Sequence, residues 1–356
     1  VHDIAHEWTD EEIRKLRRKF RRTYEQAARE MRRKLDDYLA EFDKANREWK
    51  DALKAGDVTK KQYDAWLKSQ SMRRDYLVDM SATLAHDAAN TNRLCADMIN
   101  DALPRVYAEN ANYAAYGIES HFGKTHMFDM YDQDTIRRIM GMDEDDQIIH
   151  EVIPYGPITP DKELLQSVRV NPNEVRFVAW NRQKFTASIA QSILQGESIP
   201  NTAKRLTEVL NMDERMAARA ARTAMTSAEN AGRTDSYRRA HGMGIDLEQE
   251  WLATTDERTR ESHRELDGQH VPVGKSFMVP SNGHLIRFPG DPAAHGSETW
   301  NCRCTLVAWF PEDGNESLDE RWSDLPKGMT YEQWKQSKPK SVETIAKEKR
   351  KKNASA

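Results

Sequence analysis

The chain has few long apolar runs and few cysteines. No run of about 18 apolar residues occurs in it, so no helix of bilayer-spanning length and no membrane partner is predicted. The opening V-H-D-I-A-H-E lacks the apolar core of a signal peptide, and the expectation is a protein that works in cytoplasm or in a particle assembled there. Three cysteines among 356 residues are too sparse, and odd in number, for a disulfide framework. That fits a reducing compartment. Cys95, in an apolar helical stretch, reads as a small buried hydrophobe. No repeat of solenoid period and no low-complexity tract is visible. Mean hydropathy is −0.87, and hydrophobic residues make up 38% of the chain against 31% charged. Two domains are the default at this length, with extended helical parts that bury little.

The overall charge of −4 hides segregation. Between Arg14 and Lys34 stand eleven Lys or Arg residues against Glu25 and Glu30, a local net of +9. Arg14, Arg17, Arg18, Arg21, Arg22, Arg32 and Arg33 are the candidate phosphate contacts of a non-specific double-stranded DNA interface. The alternative is a solvated helix face pairing with acids on its neighbours. Lys347 to Lys352 form a second basic cluster, read as a disordered end.

Apolar spacing organises the first half. Ile13, Leu16, Phe20, Tyr24, Ala27, Met31, Leu35, Tyr38, Phe42, Trp49 and Leu53 advance in steps of 3, 4 and 4, interrupted at Asn46. This eleven-residue period keeps one stripe on one side of a nearly straight helix. Thr9 with Glu12 is the expected capping box at its start, and Gly56 its expected end. A second box, Thr59 with Gln62, opens a short helix, and a third helical region runs from about Ser71 to the neighbourhood of Pro104. Together they predict a long antiparallel hairpin. Residues 120–172 read as a connector with one short helix near Thr135 to Met140. Helices follow from Asn173 to Gln195, from Pro200 to Leu210 and from Asp213 to about Ala240.

Beyond Gly242 and Gly244 the pattern alternates like a strand from Leu247. Asp256 is the expected N-cap of a helix over Glu257 to Leu266, which would turn Arg260, His263 and Asp267 in one direction. Val271 to Val273, Leu285 to Phe288 and Thr305 to Trp309 read as strands. Cys302-Arg303-Cys304 enters the last of them, with both sulfurs on one face and Arg303 on the other.

The polar residues of this region are specific in type and spacing. Trp251, Asp256, Arg258, Thr259, Arg260, His263, Leu266, Asp267, Gly268, Gln269, Phe277, Asn301, Cys302, Arg303 and Cys304 resemble the C-terminal domain of phage Mu protein F-like minor head proteins. The strong part of the resemblance covers roughly residues 215–310. Ala221 to Gly232 resembles the helix that precedes this domain in the family, with Ala224 where an acidic residue is common. Trp300 and Asn301 precede Cys302 where many relatives have His-Pro-Asn, and His295 lies too far upstream to match.

Three readings of the constellation stay open. His263, Cys302 and Cys304 match the family pattern and suit a structural zinc, with a fourth ligand to be sought among Asp267, His270 and His295. Alternatively Asp256, Arg258 and His263 fix loops in a hydrogen-bonded polar core and the cysteines fill space. In a catalytic reading, His263 and a cysteine form a base and its thiol nucleophile. No nucleophile elbow, oxyanion loop or phosphate-binding glycine run supports the last.

The expectation is an α+β protein. It divides into an extended helical hairpin arm (1–119), the connector (120–172), a helical middle (173–244), a small mixed Mu F-like domain (245–311) and a charged tail (312–356). The resemblance implies a phage or prophage minor head protein without catalytic residues, engaged in head morphogenesis. It would associate with the portal and with capsid and scaffold proteins, reside in the virion head interior after assembly in the host cytoplasm, and accompany genome packaging or ejection. Two alternatives are a thiol-dependent or nucleotide-modifying effector delivered with the genome, and a scaffold-like assembly protein. The segment after Trp309 is expected to hold no second enzyme.

Overall fold

The computed structural model describes residues 3–71, 74–134, 136–137, 167–170, 175–311 and 322–338. Among them, eight helices outweigh seven short strands, and the fold class is α+β with a long helical N-terminal region. In chain order the elements are α1 (Ile4–Ala55), α2 (Lys60–Ser71), α3 (Arg74–Phe122), β1 (Lys124–Thr125), α4 (Val175–Leu194), α5 (Ile199–Gly242) and β2 (Glu248–Leu252). There follow α6 (Glu261–Leu266), β3 (His270–Pro272), β4 (Phe277–Met278), β5 (Leu285–Ile286), α7 (Gly296–Thr299), β6 (Thr305–Trp309), β7 (Ser323–Asp324) and α8 (Tyr331–Ser337). Most of the expected helix near Thr135 to Met140, the cap at Asn173 and the basic cluster Lys347 to Lys352 fall outside the described residues.

The chain divides into two compact units built from non-consecutive segments. A consecutive partition into arm, connector, middle and tail does not express this, because α1, α3 and α5 each contribute to both. One unit comprises Arg14–Met98 and Val170–Ala221. Its core is the predicted stripe, with Leu16, Phe20, Tyr24, Met31 and Leu35 buried and Leu39 added to them. α1 and α3 run antiparallel here: Tyr24 donates to Asn92, while the later Lys34 meets the earlier Asp87. Phe42, Trp49 and Tyr63 stack around Trp66 at centroid separations of 5.7, 5.4 and 6.0 Å.

Asn46, the break in the apolar period, is buried on the same stripe and fully engaged. It accepts from the Tyr63 hydroxyl at 2.7 Å and donates to the Gly196 carbonyl at 3.1 Å. Gly196 ends α4 with φ +57, and Glu197 N–H reaches back to Ser192 O, the bond pattern of a glycine C-cap. A Cβ there would lie 2.5 Å from the Tyr63 hydroxyl, so the cap and the close approach both require glycine.

Three helix boundaries differ from expectation. α1 starts five residues before Thr9, with Asp3 accepting from His6 N–H, and Thr9 is a buried helical residue bonded to Ala5 O. α3 continues through Pro104, whose neighbours Leu103, Val106 and Tyr107 are all buried. Packing along a 49-residue helix overrides the tendency of proline to stop it. α5 is continuous where two helices were expected, because Asp213 caps nothing: it is buried, and its Oδ2 accepts from Asn92 and Asn181. The Thr59 and Gln62 box forms as predicted.

The other unit comprises Val1–Ile13, Ile99–Arg169 and Arg222–Ala356. Its main sheet is antiparallel in the order β3-β2-β6, with Trp251 opposite Leu306, and β4-β5 and β1-β7 are two-stranded ribbons. Trp251, Phe277, Phe288 and Leu306 form its apolar centre. A buried polar centre lies beside it. Arg233 of α5 donates twice to Asp3, at 2.6 and 2.8 Å, and also to the Leu306 carbonyl and to Asn110 of α3. Part of the expected charged tail also folds. α8 opens with a Thr330–Gln333 capping box, Trp334 is buried, and Lys338 forms a buried ion pair with Glu119 at 2.7 Å. Removing one partner of such a pair costs about 3–5 kcal/mol, because the other charge is stranded.

Candidate functional site

The polar residues singled out in the sequence gather in two places. The first is a turn and its grip. Asp256 does not cap a helix: α6 begins at Glu261 behind an extended Arg260 that makes no side-chain cap. Instead Asp256 accepts Arg258 N–H at 2.9 Å and pairs bidentately with Arg303 at 2.5 and 2.6 Å. The Arg303 hydrogen bonds hold the Asp256 carboxyl well below the usual carboxylate range. Arg258 itself is exposed, its guanidinium 3.6 Å from Asp256. Thr254 donates to the Arg303 carbonyl, Thr259 to the Thr254 carbonyl, and Arg260 to the Trp300 and Glu298 carbonyls. Asp267 accepts Ala253 N–H, and Gly268 N–H and Gln269 O bracket Trp251. Arg260, His263 and Asp267 therefore do not converge on one point. Arg260 and Asp267 close different pieces of backbone while His263 turns inward to the two cysteines, because the short helix starts four residues later than expected.

The second place is the buried trio His263, Cys302 and Cys304. His263 Nδ1 lies 3.6 Å from Cys302 Sγ and 3.4 Å from Cys304 Sγ, and all three side chains are about 2% exposed. The cysteines are free thiols. Cys302 Sγ accepts the Cys304 N–H at 3.4 Å. The trio is flanked by Trp251, whose indole meets the His263 ring edge-on at 5.2 Å. The Cys-Arg-Cys segment precedes β6, Asn301 holds φ +59 at its start, and Arg303 points away from the sulfurs to Asp256. Burial drives the Cys302 thiol well above its ordinary value. A hydrogen bond from Cys302, ahead of one from His263, holds Cys304 well below it.

Of the proposed fourth ligands, Asp267 is occupied with Ala253, His270 faces Glu248 on an exposed edge, and His295 caps α7. None joins the trio.

Sequence reasoning missed Glu298 and the inner face of α5. Glu298, buried at 3% exposure, lies 3.5 Å from His263 Nε2. Burial pushes its carboxyl up, but hydrogen bonds from Ser262, His284, Asn282 and Ser297 outweigh this and hold it down at about 2. On α5, Thr226 donates to the Cys302 carbonyl at 3.0 Å. Asn230 donates to the Cys304 and Pro289 carbonyls and accepts Leu306 N–H at 2.8 Å. The available signal was the small-residue run around them, Ala221, Ala224, Ala228 and Ala231, all buried, which lets other backbone approach α5. Gly290 takes that approach to its limit: its φ is +79, and a Cβ there would lie 2.9 Å from Ser227 N.

The candidate phosphate contacts Arg14, Arg17, Arg18, Arg21, Arg22, Arg32 and Arg33 are all exposed along α1. Arg21 stands 4.0 Å from Glu214, and the half-buried Lys34 pairs with Asp87.

Residues 183–307 match the family model described as Phage Mu protein F like protein, beginning in α4 and so reaching further upstream than the sequence motifs alone. The chain is 24% identical over 248 residues to the minor head protein GP7 of Bacillus phage SPP1, covering 68% of this chain and 73% of that protein. It is 30% identical over 166 residues to the NAD(+)–arginine ADP-ribosyltransferase EFV of Enterococcus faecalis (strain ATCC 700802 / V583), covering 44% of this chain but 34% of that protein. An uncharacterized protein, YqbB of Bacillus subtilis (strain 168), is 25% identical over 147 residues, 41% of this chain and 44% of its own. The chain thus spans about a third of the Enterococcus protein and under half of YqbB. No solved structure matches the chain. Residues 183–307 are a Phage Mu protein F-like region, and over 68% of its length the chain is similar to a phage minor head protein.

Proposed function

We propose that the protein is a structural component of a phage head, built into the procapsid in few copies beside the portal, retained in the virion interior, and in contact with the packaged genome. The observation that carries this reading is the match to the SPP1 minor head protein, which covers 73% of that protein and reaches well outside the Mu F-like region. The exposed arginines of α1 support the contact with DNA. Capsid and scaffold proteins are the expected partners during assembly in the host cytoplasm. No described helix is long and apolar enough to cross a membrane. Quantitative mass spectrometry of purified procapsids and mature virions tests the proposal. The protein is expected in both; absence from both rejects the reading, and loss on maturation would make it a scaffold.

The similarity to an ADP-ribosyltransferase favours a second reading as a delivered enzyme. The shared part is a third of that protein, and the polar groups of the present site are spent on backbone carbonyls and amides. Turnover of NAD(+) by the purified chain with an arginine acceptor would establish this second reading.

A further inference from the structure

We infer that His263, Cys302 and Cys304 form a structural zinc site, oriented by Glu298 and pinned by α5. The spacing is that of a coordination shell. With Zn–S at about 2.3 Å and Zn–N at about 2.05 Å, a tetrahedral angle places nitrogen and sulfur about 3.6 Å apart. The observed separations from His263 Nδ1 are 3.6 and 3.4 Å, and the three donor atoms all lie within 4.8 Å of one another. One imidazole nitrogen thus addresses both sulfurs at once, as a metal between them requires. A hydrogen-bonded pair would need only one.

Three further features point the same way. The Cys304 N–H donates to Cys302 Sγ, a bond that stabilises thiolate character at a ligand sulfur. The far side of the imidazole, Nε2, is buried without a hydrogen-bond partner and lies 3.5 Å from Glu298 Oε2. A carboxylate in that place is what fixes the tautomer and ring orientation of a zinc-bound histidine, and small closure of the gap would complete the bond. Finally, the carbonyls of both cysteines are held by Thr226 and Asn230, so the two sulfurs are placed by backbone anchored to a long helix rather than by a free loop. Since no fourth protein donor joins the group among the described residues, a buried solvent oxygen completes the shell. With all three side chains about 2% exposed, the site acts as a brace between α6, α7 and the segment that enters β6.

The test uses the full chain, expressed and purified without chelator, with zinc measured by inductively coupled plasma mass spectrometry. About one equivalent is expected, falling to less than about a tenth in C302S and C304S, while C95S keeps its metal. E298Q is expected to retain the site but to bind zinc about 10–100-fold more weakly in a competition with a chromophoric chelator. Should the cysteine variants fail to fold, cobalt substitution of the wild-type chain gives an independent reading. Sulfur-to-cobalt charge-transfer bands and the strong visible bands of a four-coordinate ion are expected. A wild-type chain with less than about a tenth of an equivalent of zinc and no such cobalt bands overturns the inference. Full zinc retention in the double variant C302S/C304S overturns it as well, by placing the metal elsewhere.

Discussion

Asn230→Ala isolates what α5 does for the Cys-Arg-Cys strand. Its side chain is fully buried, donates to the Thr226, Pro289 and Cys304 carbonyls, and accepts the N–H of Leu306. Leu306 lies in β6 opposite Trp251, whose own N–H is turned to Gln269 on the other side of β2, so Asn230 is where the Leu306 amide goes. Truncation strands that donor, at a cost of about 1–3 kcal/mol, and loses a bond to each carbonyl at a smaller cost apiece, because carbonyls tolerate incomplete pairing better. Alanine is the better helix former, which returns a few tenths of a kcal/mol. The net expectation is about 2–3 kcal/mol of local destabilisation, equivalent to amide exchange about 30–150-fold faster across β6. Hydrogen exchange read by mass spectrometry on peptides spanning 300–310, in wild type and variant at one pH, measures this directly. Thr226→Val, which removes only the donor to the Cys302 carbonyl, is expected to cost about 0.5–1.5 kcal/mol. Exchange in the Asn230 variant within about twofold of wild type would refute the reasoning, since the stranded amide alone predicts more than that.

Two other outcomes follow from charge. If the exposed face of α1 holds DNA, replacing Arg17, Arg18, Arg21 and Arg22 by Gln should weaken binding alike on all sequences. The slope of log affinity against log salt should flatten by about three to four, as read by fluorescence anisotropy; an unchanged slope would assign the face to protein contacts. His6 sits 2.7 Å from the buried Glu229; burial pushes its pKa down, but the Glu229 carboxylate outweighs this and raises it from 6.5 to about 9. Its stabilising charge is therefore fully present below pH 6.5 and lost as pH rises through about 9. A melting series from pH 6 to pH 10 should decline more steeply in wild type than in His6→Gln, and parallel curves would exclude the pair as a contributor.

Much of this was legible in the sequence, for reasons that particular residues make plain. The stripe is the buried face of α1 at Ile13, Leu16, Phe20, Tyr24, Met31 and Leu35 and half-buried at Tyr38, Phe42, Trp49 and Leu53, since burial follows periodicity over many turns, and the Thr59 box is a real helix start because its partners are local. Thr9, Asp213 and Asp256 misled for one shared reason. Each has the chemistry of a cap, yet each spends it on something a local reading does not see: Thr9 and Asp213 are buried inside helices, and Asp256 is claimed by Arg303 some 47 residues away. His263, Cys302 and Cys304, singled out by the family resemblance, lie within 4.8 Å of one another. The resemblance could not supply Glu298, which lies in no motif and stands 3.5 Å from the far nitrogen of the imidazole.

The buried charges of α5 bear on what the shared region can mean. Arg233 and Glu229 lie within residues 183–307, but the groups that satisfy them include Asp3 and His6 at the start of α1 and Asn110 in α3, outside the matched region. A buried guanidinium without its carboxylate is costly by several kcal/mol, so in this chain the matched region depends on residues outside it. Within the region, the polar contacts go mostly to its own backbone: Arg260 to Glu298 and Trp300, Thr254 to Arg303, Thr226 to Cys302, Asn230 to Cys304. Such contacts hold a small sheet on a long helix and leave few polar groups for chemistry on a ligand. A likeness over a third of the ADP-ribosyltransferase does not by itself carry that protein's activity to this chain.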